Sequence, residues 1–267
     1  MILPTSVNWL KNKTLKEKYE KLPLSKRRHL SLAAHKFAQV YDDKIDYWYD
    51  KMIKDSNDYK TERNKNKKSL KESRDWIDDA LKKLKKAATE FKRTISHKLR
   101  LQDPSVANLW LFTQYLLMRF YSEIQLRNDL GTIELKDKNQ NNFLKKVKGG
   151  RYDIVMRQFK SSAKIGPRTI SVSSALSKTL KDFIKYRNKV DLEHDFLIIN
   201  SKGGQLSKSA LGKTLRKLTK EKMSKSIGTR MLRIFNATEN AKILEKASEI
   251  SHNMLHSAKQ ARQYVRK

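Results

Sequence analysis

The sequence predicts a mainly helical α+β protein, in which a helical N-terminal domain precedes a larger domain with helices and a small antiparallel sheet. Three observations support this prediction. A length of 267 residues is typical of about two domains. Apolar residues recur at helical spacing throughout residues 1–70, whereas segments suited to short strands begin only near residue 132. A hydrophobic content of 38% is sufficient for a packed core, so we expect an ordered chain.

Residues 1–70 form the predicted helical domain. Leu24 and Ser25 stand where a helix could begin, and the apolar residues that follow keep helical spacing: Leu30, Ala33, Ala34, Phe37, Val40 and Tyr41. A second helical stretch has its apolar positions at Ile45, Tyr47, Trp48 and Met52. Polarity then rises sharply over residues 55–72, which predicts either an interdomain linker or a solvated helix end.

Residues 71–267 form the predicted mixed domain. An amphipathic helix containing Trp76 and Phe91 precedes a strongly apolar helix over residues 106–121, which we expect to be buried. Short strands are then predicted at 132–135, 152–159, 168–173 and 196–199. Residues 160–167 end in Gly-Pro and form the predicted turn of a hairpin. Everything after Ser207 is predicted to be helical, with breaks near Gly228, Asn240 and Ser251.

The charge of the chain points to a polyanionic partner. There are 60 Lys and Arg residues against 28 Asp and Glu residues, which gives a net charge of +32. Such an excess is most simply explained by nucleic acid, because each neutralised phosphate releases counterions. The best apolar run, Leu109 to Met118, is about half a bilayer span, so no membrane partner is expected. The absence of cysteine excludes disulfides and thiolate metal sites and suits an intracellular protein.

Several residues in the second domain could together cleave a phosphodiester without a metal ion. Guanidinium groups can hold the non-bridging oxygens and stabilise the charge of the transition state. A tyrosine hydroxyl can attack the phosphorus, a lysine can protonate the departing oxygen, and a histidine can assist proton transfer. All of these residue types occur here, in segments separated by predicted turns: Arg127, Lys160, Arg230, Arg233, His256 and Tyr264.

In type and order, these six residues resemble the active-site set of the tyrosine recombinase (phage integrase) family. Residues 230–238 resemble the family's His-x-Leu-Arg-His-x-x-Ala-Thr helix, and residues 254–257 resemble its Leu-Gly-His-Ser turn. Residues 126–129 resemble its first arginine box, in the version associated with eukaryotic viruses and their mobile elements. The resemblance covers about residues 73–267. The N-terminal helices correspond to the family's core-binding domain by position and charge.

The resemblance implies a site-specific DNA recombinase or integrase that acts through a 3′-phosphotyrosyl intermediate. Tyr264 would be the nucleophile, Arg127 and Arg233 would hold the phosphate with help from Arg230 and His256, and Lys160 would protonate the leaving oxygen. No metal or cofactor is required. Double-stranded DNA would be the partner, bound by a homo-tetramer on paired sites. The protein would act in a bacterial cytoplasm, or in the nucleus or virus factory of an infected eukaryotic cell.

One departure from the family pattern and one ambiguity concern individual residues. Arg230 stands where the family usually has histidine, and because arginine is not a base at neutral pH, the proton of Tyr264 would have to leave by another route. Lys164 lies in the same predicted hairpin loop as Lys160 and is the alternative general acid, with Lys160 favoured.

Three other functions fit parts of the sequence. A type IB topoisomerase uses a similar residue set but religates the same strand. A non-catalytic DNA-binding protein could retain the fold. Asp129, Glu134 and Lys136 faintly resemble the carboxylate and lysine arrangement of a metal-dependent nuclease, a short pattern that is common by chance.

Overall fold

The computed structural model describes residues 8–41, 46–65, 67–99, 104–138, 140–241, 243 and 245–246. The chain divides into two compact units, Met1–Ser73 and Arg74–Lys267. Helices predominate, and the described strands form one four-stranded sheet in the second unit. The predicted class, a mainly helical α+β protein with a small sheet, is therefore confirmed.

The first unit is built from helices α1 (Lys13–Glu20), α2 (Leu24–Val40) and α3 (Asp46–Asn64), with α4 (Leu70–Arg74) at its end. Its small core contains Leu10, Tyr19, Ala34, Ala38 and Trp48. Because α3 continues to Asn64, the first part of the polar stretch is a helix end and not a linker.

A buried polar contact fixes the helices of the first unit. The Tyr19 hydroxyl donates a hydrogen bond to the buried carboxylate of Asp55, and the Arg27 side chain approaches the same carboxylate at 3.6 Å. The Tyr19 ring packs edge-on against Trp48, with ring centroids 5.1 Å apart. A buried charge is tolerated only when it has partners. The Asp55 carboxylate of α3 therefore holds Tyr19 of α1 and Arg27 of α2 against it.

The second unit is organised around α6 (Val106–Tyr121), the apolar helix that the sequence predicts at the same residues. Ser105 caps it by accepting a hydrogen bond from the Asn108 amide at 3.2 Å. Helices α5 (Ala80–Ile95), α8 (Ser174–Arg187) and α9 (Lys208–Met223) pack around it, and α10 (Thr229–Glu239) packs on α5. Within the described ranges, no helix has both the length and the apolar character that a membrane span requires.

The sheet contains β1 (Ile133–Glu134), β2 (Asn142–Lys146), β3 (Tyr152–Met156) and β4 (Arg168–Ser171), in that spatial order. Strands β3 and β4 form the predicted antiparallel hairpin, with Ile154 opposite Ile170. A short helix, α7 (Ser162–Ile165), lies in the loop that connects them.

The sheet differs from the prediction in three respects. Strand β2 was not predicted, because its two apolar residues stand beside a polar run and give no clear alternation. It pairs with β1 in parallel, so the sheet is mixed where a purely antiparallel one was expected. The strand predicted at 196–199 is reduced to isolated bridges at Phe196 and Ile199.

The segment that follows α6 is fixed tightly to α9 and α10. It forms a 3-10 helix over Asn128–Thr132, and the Gln205 amide donates to the Gly131 carbonyl at 2.8 Å. A Cβ atom on Gly131 would lie 2.5 Å from the Leu206 carbonyl oxygen, so the two backbones are in direct contact. The Thr229 hydroxyl of α10 donates to the Asn128 side chain at 2.8 Å.

This contact predicts that Gly131→Ala destabilises the protein by about 1–3 kcal/mol, because the atom that the new methyl group meets is rigid backbone. Gly212→Ala is the matched control: its methyl group would meet the end of the Asn128 side chain at 3.0 Å, and alanine favours the helix by about 1 kcal/mol. Thermal unfolding of the full chain measures both variants. Equal melting temperatures for the two variants would contradict a rigid backbone contact at Gly131.

Candidate active site

The structure describes four of the six predicted site residues. Arg127 immediately precedes the 3-10 helix Asn128–Thr132, and Lys160 lies in the β3–β4 loop just before α7. Arg230 and Arg233 lie on α10. His256 and Tyr264, the predicted histidine and nucleophile, lie outside the described residues.

Three of these four residues line one cavity of about 300 Å³ in the second unit. They come from segments far apart in the chain: the loop after α6, the β3–β4 loop and helix α10. Lys164, the alternative lysine, is not among the residues that line it. The lining is formed by Gln125, Leu126, Arg127, Asp129, Met156, Phe159, Lys160, Ser161, Arg168, Ile170 and Arg233.

Arg230 stands beside this cavity and not in its lining. It is exposed on the first turn of α10, whereas Arg233 is half-buried. Burial lowers the pKa of the Arg233 guanidinium, and the positive charges of Arg127 and Arg230 lower it further. Arg127 and Arg230 are therefore each close enough to repel Arg233. Such a cluster forms a favourable site for an anion that neutralises it.

Hydrogen bonds to backbone carbonyls fix the Arg233 side chain and the Arg127 backbone. The Arg233 side chain donates from Nε to the Thr229 carbonyl at 3.3 Å, one helical turn before it. The hydroxyl of Tyr121, at the end of α6, donates to the Arg127 carbonyl at 2.8 Å. Burial raises the pKa of the Tyr121 hydroxyl above its ordinary value, and the nearby Asp129 carboxylate raises it further. The hydroxyl therefore stays protonated and remains a donor to Arg127.

The cavity is strongly cationic. Among the described residues, its lining contains Arg127, Lys160, Arg168 and Arg233 but one acidic residue, Asp129. That carboxylate accepts from Lys208 Nζ at 2.7 Å. Among the residues that the structure describes, no carboxylate forms an ion pair with the four cations of the lining. Guanidinium forks bind two oxygens of one phosphate group, so the cavity is suited to a phosphodiester.

Sequence reasoning missed Arg168 as a member of this cavity. It is the first residue of β4 and lies opposite Met156, the last residue of β3, so it faces the same end of the hairpin as the loop. The Gly166-Pro167 turn signal could have placed it there, because the residue that follows a hairpin turn returns to the strand end.

The residues of the nuclease alternative are engaged in ion pairs with other side chains. Asp129 pairs with Lys208, and the Glu134 carboxylate forms an ion pair with Lys138 Nζ at 3.0 Å. Lys136 instead contacts the Asp195 carboxylate at 3.2 Å. Because Lys138 also contacts the Asp195 carboxylate at 3.1 Å, Glu134 and Lys136 belong to one ion-pair network, to which the Asp129–Lys208 pair does not belong.

The mutual repulsion of the arginines predicts that Arg127→Gln stabilises the free protein. We expect a gain of about 0.2–1 kcal/mol at low salt that becomes smaller at high salt, because an exposed charge is screened by ions. Urea unfolding of the full chain at two salt concentrations measures it. Lys164→Gln, an exposed lysine outside the cavity lining, is the control and should change stability less. A salt-independent loss of stability in Arg127→Gln would refute the repulsion.

Comparisons with solved structures give recombinases with partial overlap. The crystal structure of XerA recombinase matches with a TM-score of 0.44 and 17% sequence identity, covering 72% of this chain and 58% of that one. XerH site-specific recombinase bound to a palindromic difH substrate, in a post-cleavage complex, gives 0.45 and 17%, with 72% and 49% coverage. Its pre-cleavage complex gives 0.44 and 16%, with 73% and 50%. The chain thus spans about half the length of these recombinases.

Comparison with curated protein sequences gives no significant match. Residues 112–260, which are more than half of the 267 residues, match the phage integrase family. The matched range includes Arg127, Lys160, Arg230, Arg233 and His256, and it ends shortly before Tyr264. This match confirms the family resemblance drawn from the arginine and histidine motifs. The chain belongs to the phage integrase family, the tyrosine recombinases.

Proposed function

We propose that the protein is a site-specific DNA recombinase or integrase that cleaves and rejoins DNA through a 3′-phosphotyrosyl intermediate. The observation that carries this proposal is the cavity that brings Arg127, Lys160 and Arg233 together from three distant segments. The family match supports it independently. Tyr264 is the proposed nucleophile, and no metal or high-energy cofactor is required.

In this proposal the scissile phosphate binds in the cationic cavity. The guanidinium groups of Arg127 and Arg233 hold the non-bridging oxygens and stabilise the charge that develops at phosphorus. Arg230, on the outer face of α10, assists from beside the cavity. Arg168 adds a further positive charge, suited to the neighbouring phosphate of the same strand.

The chemical step exchanges one phosphate ester for another. The Tyr264 oxygen forms a bond to phosphorus while the bond from phosphorus to the 5′ oxygen breaks, and Lys160 gives that oxygen a proton. His256 is the side chain of the proposed set that can accept the phenol proton near neutral pH, because arginine replaces histidine at position 230. A 5′-hydroxyl from a second strand then reverses the reaction and releases Tyr264.

Recombination requires several copies of the active site. Each phosphotyrosyl bond conserves the energy of the broken phosphodiester, so strand exchange needs no nucleotide cofactor. We propose that a homo-tetramer assembles on paired duplex sites and that the helices of residues 1–70 serve as a core-binding domain. The proposed place of action is a bacterial cytoplasm, or the nucleus or virus factory of an infected eukaryotic cell; the arginine box at residues 126–129 resembles the version of eukaryotic viruses and their mobile elements.

A suicide substrate tests the nucleophile. A nicked duplex loses a short 5′-hydroxyl fragment after cleavage and cannot be religated, so we expect wild-type protein to accumulate as a covalent adduct on DNA. Duplexes tiled across the DNA that flanks the gene supply candidate targets, and denaturing gel electrophoresis separates the adduct. Tyr264→Phe, which keeps the ring and removes the hydroxyl, should form none.

The same experiment separates the alternatives. An adduct that persists in Tyr264→Phe would refute the assignment of the nucleophile. Absence of any adduct across all duplexes would favour a non-catalytic DNA-binding protein of the same fold. Relaxation of supercoiled plasmid by monomeric protein, without recombinant product, would favour a type IB topoisomerase.

A sulfur substitution tests the general acid. Lys160→Ala should slow adduct formation by about 10²–10⁴-fold on ordinary DNA. On a substrate with sulfur in place of the bridging 5′ oxygen, the rate of adduct formation by Lys160→Ala should approach that of wild type, because a thiolate leaves without a proton. Lys164→Ala is the matched control from the same loop and should be near wild type on both substrates. The reverse pattern would assign the role to Lys164.

A further inference from the structure

A lysine outside the predicted set contacts Asp129, the one acidic residue among the described residues of the cavity lining. Lys208 Nζ lies 2.7 Å from the Asp129 Oδ1 atom. Asp129 is 7% exposed, whereas the Lys208 side chain is half-exposed and approaches from solvent. The two residues are 79 positions apart in the chain, so the pair is a tertiary contact between the arginine segment and α9.

The position of Lys208 in its helix is electrostatically unfavourable unless an anion is nearby. It is the first residue of α9, where the helix dipole places partial positive charge. Ser207 caps this end by accepting from the Ala210 amide at 3.2 Å, a role that an ammonium group cannot take because it has no acceptor. The pairing of Lys208 with Asp129 offsets the unfavourable position and directs the ammonium group toward the cavity.

Asp129 cannot easily move away from the cavity. The backbone of its 3-10 helix is fixed by the Gln205 bond to the Gly131 carbonyl and by the contact of Gly131 with Leu206. Without Lys208, the carboxylate would remain near the arginines as an uncompensated negative charge. It would then attract the guanidinium groups and compete with a phosphate for them.

We propose that Lys208 is a positioning residue that acts through Asp129. Its ammonium group pairs with the Asp129 carboxylate, and Arg127 and Arg233 therefore remain available for the phosphate. This inference rests on the proposed function, because it assumes that the cavity ligand is the scissile phosphate. Lys208 need not touch the DNA for this role.

A phosphate titration tests the inference without any cleavage chemistry. The probe is inorganic phosphate added to the full chain, observed through the Arg233 Nε–H signal in nuclear magnetic resonance, with Arg233→Lys used for assignment. We expect Lys208→Met to weaken phosphate binding by about tenfold, as one uncompensated charge at close range implies. Asp129→Asn in the Lys208→Met background should restore the affinity, and Lys208→Arg should retain it.

Adduct formation on the nicked duplex gives the second readout. Lys208→Met should slow it and the added Asp129→Asn should restore it, because the second change removes the charge that the lysine balanced. Lys213→Met, which removes an exposed lysine from the same helix, is the matched control and should stay near wild type. Thermal unfolding checks that each variant is folded.

The outcomes separate the two proposals. If Lys208→Met forms the adduct at the wild-type rate and binds phosphate with unchanged affinity, the role of Lys208 is refuted. The recombinase function is then unaffected. A loss that Asp129→Asn does not restore would also overturn the role of Lys208, since Lys208 would then contact the ligand directly. If wild-type protein forms no adduct, the recombinase proposal fails, and the phosphate titration alone decides the role of Lys208.

Discussion

The site depends on holding positive charges together against their mutual repulsion. Burial lowers the pKa of Arg233, and the positive charges of Arg127 and Arg230 lower it further, so the surrounding structure has to hold these side chains near Arg233. That constraint comes from uncharged contacts: backbone against backbone at Gly131, and the Thr229 hydroxyl on Asn128. These contacts do not depend on salt. The geometry of the site therefore persists at high salt, where the repulsion is screened, and at low salt, where it is strong.

Other elements of the second unit also position the cationic side chains of the site. Helix α6 is buried among α5, α8 and α9, and its last residue, Tyr121, hydrogen-bonds the Arg127 carbonyl just before the 3-10 helix that packs on α9. The β3–β4 hairpin brings Lys160 and Arg168 to the same cavity from the other side of the lining. The hydrophobic core thus holds in place cationic side chains that would otherwise repel one another, as a rigid scaffold commonly does for a functional site.

Local patterns were sufficient to predict part of this structure. The bounds of α6 and the β3–β4 hairpin follow from apolar periodicity and a Gly-Pro turn, signals contained within a few neighbouring residues. Strand β2 and its parallel pairing with β1 were missed, because Asn142 is buried through bonds to Thr132 and Gln158 that no local pattern reveals. Lys208 was missed for the same reason: its partner lies 79 positions away.

The hydrogen bond from Tyr121 to the Arg127 carbonyl has a consequence for ligand binding. It links the arginine segment directly to the most buried helix of the unit, so this part of the site gains its order when the chain folds. A ligand that arrives at an ordered site loses less of its binding free energy to conformational entropy. Substitutions deep in α6, far from the ligand, would therefore change the affinity of the cavity for that ligand.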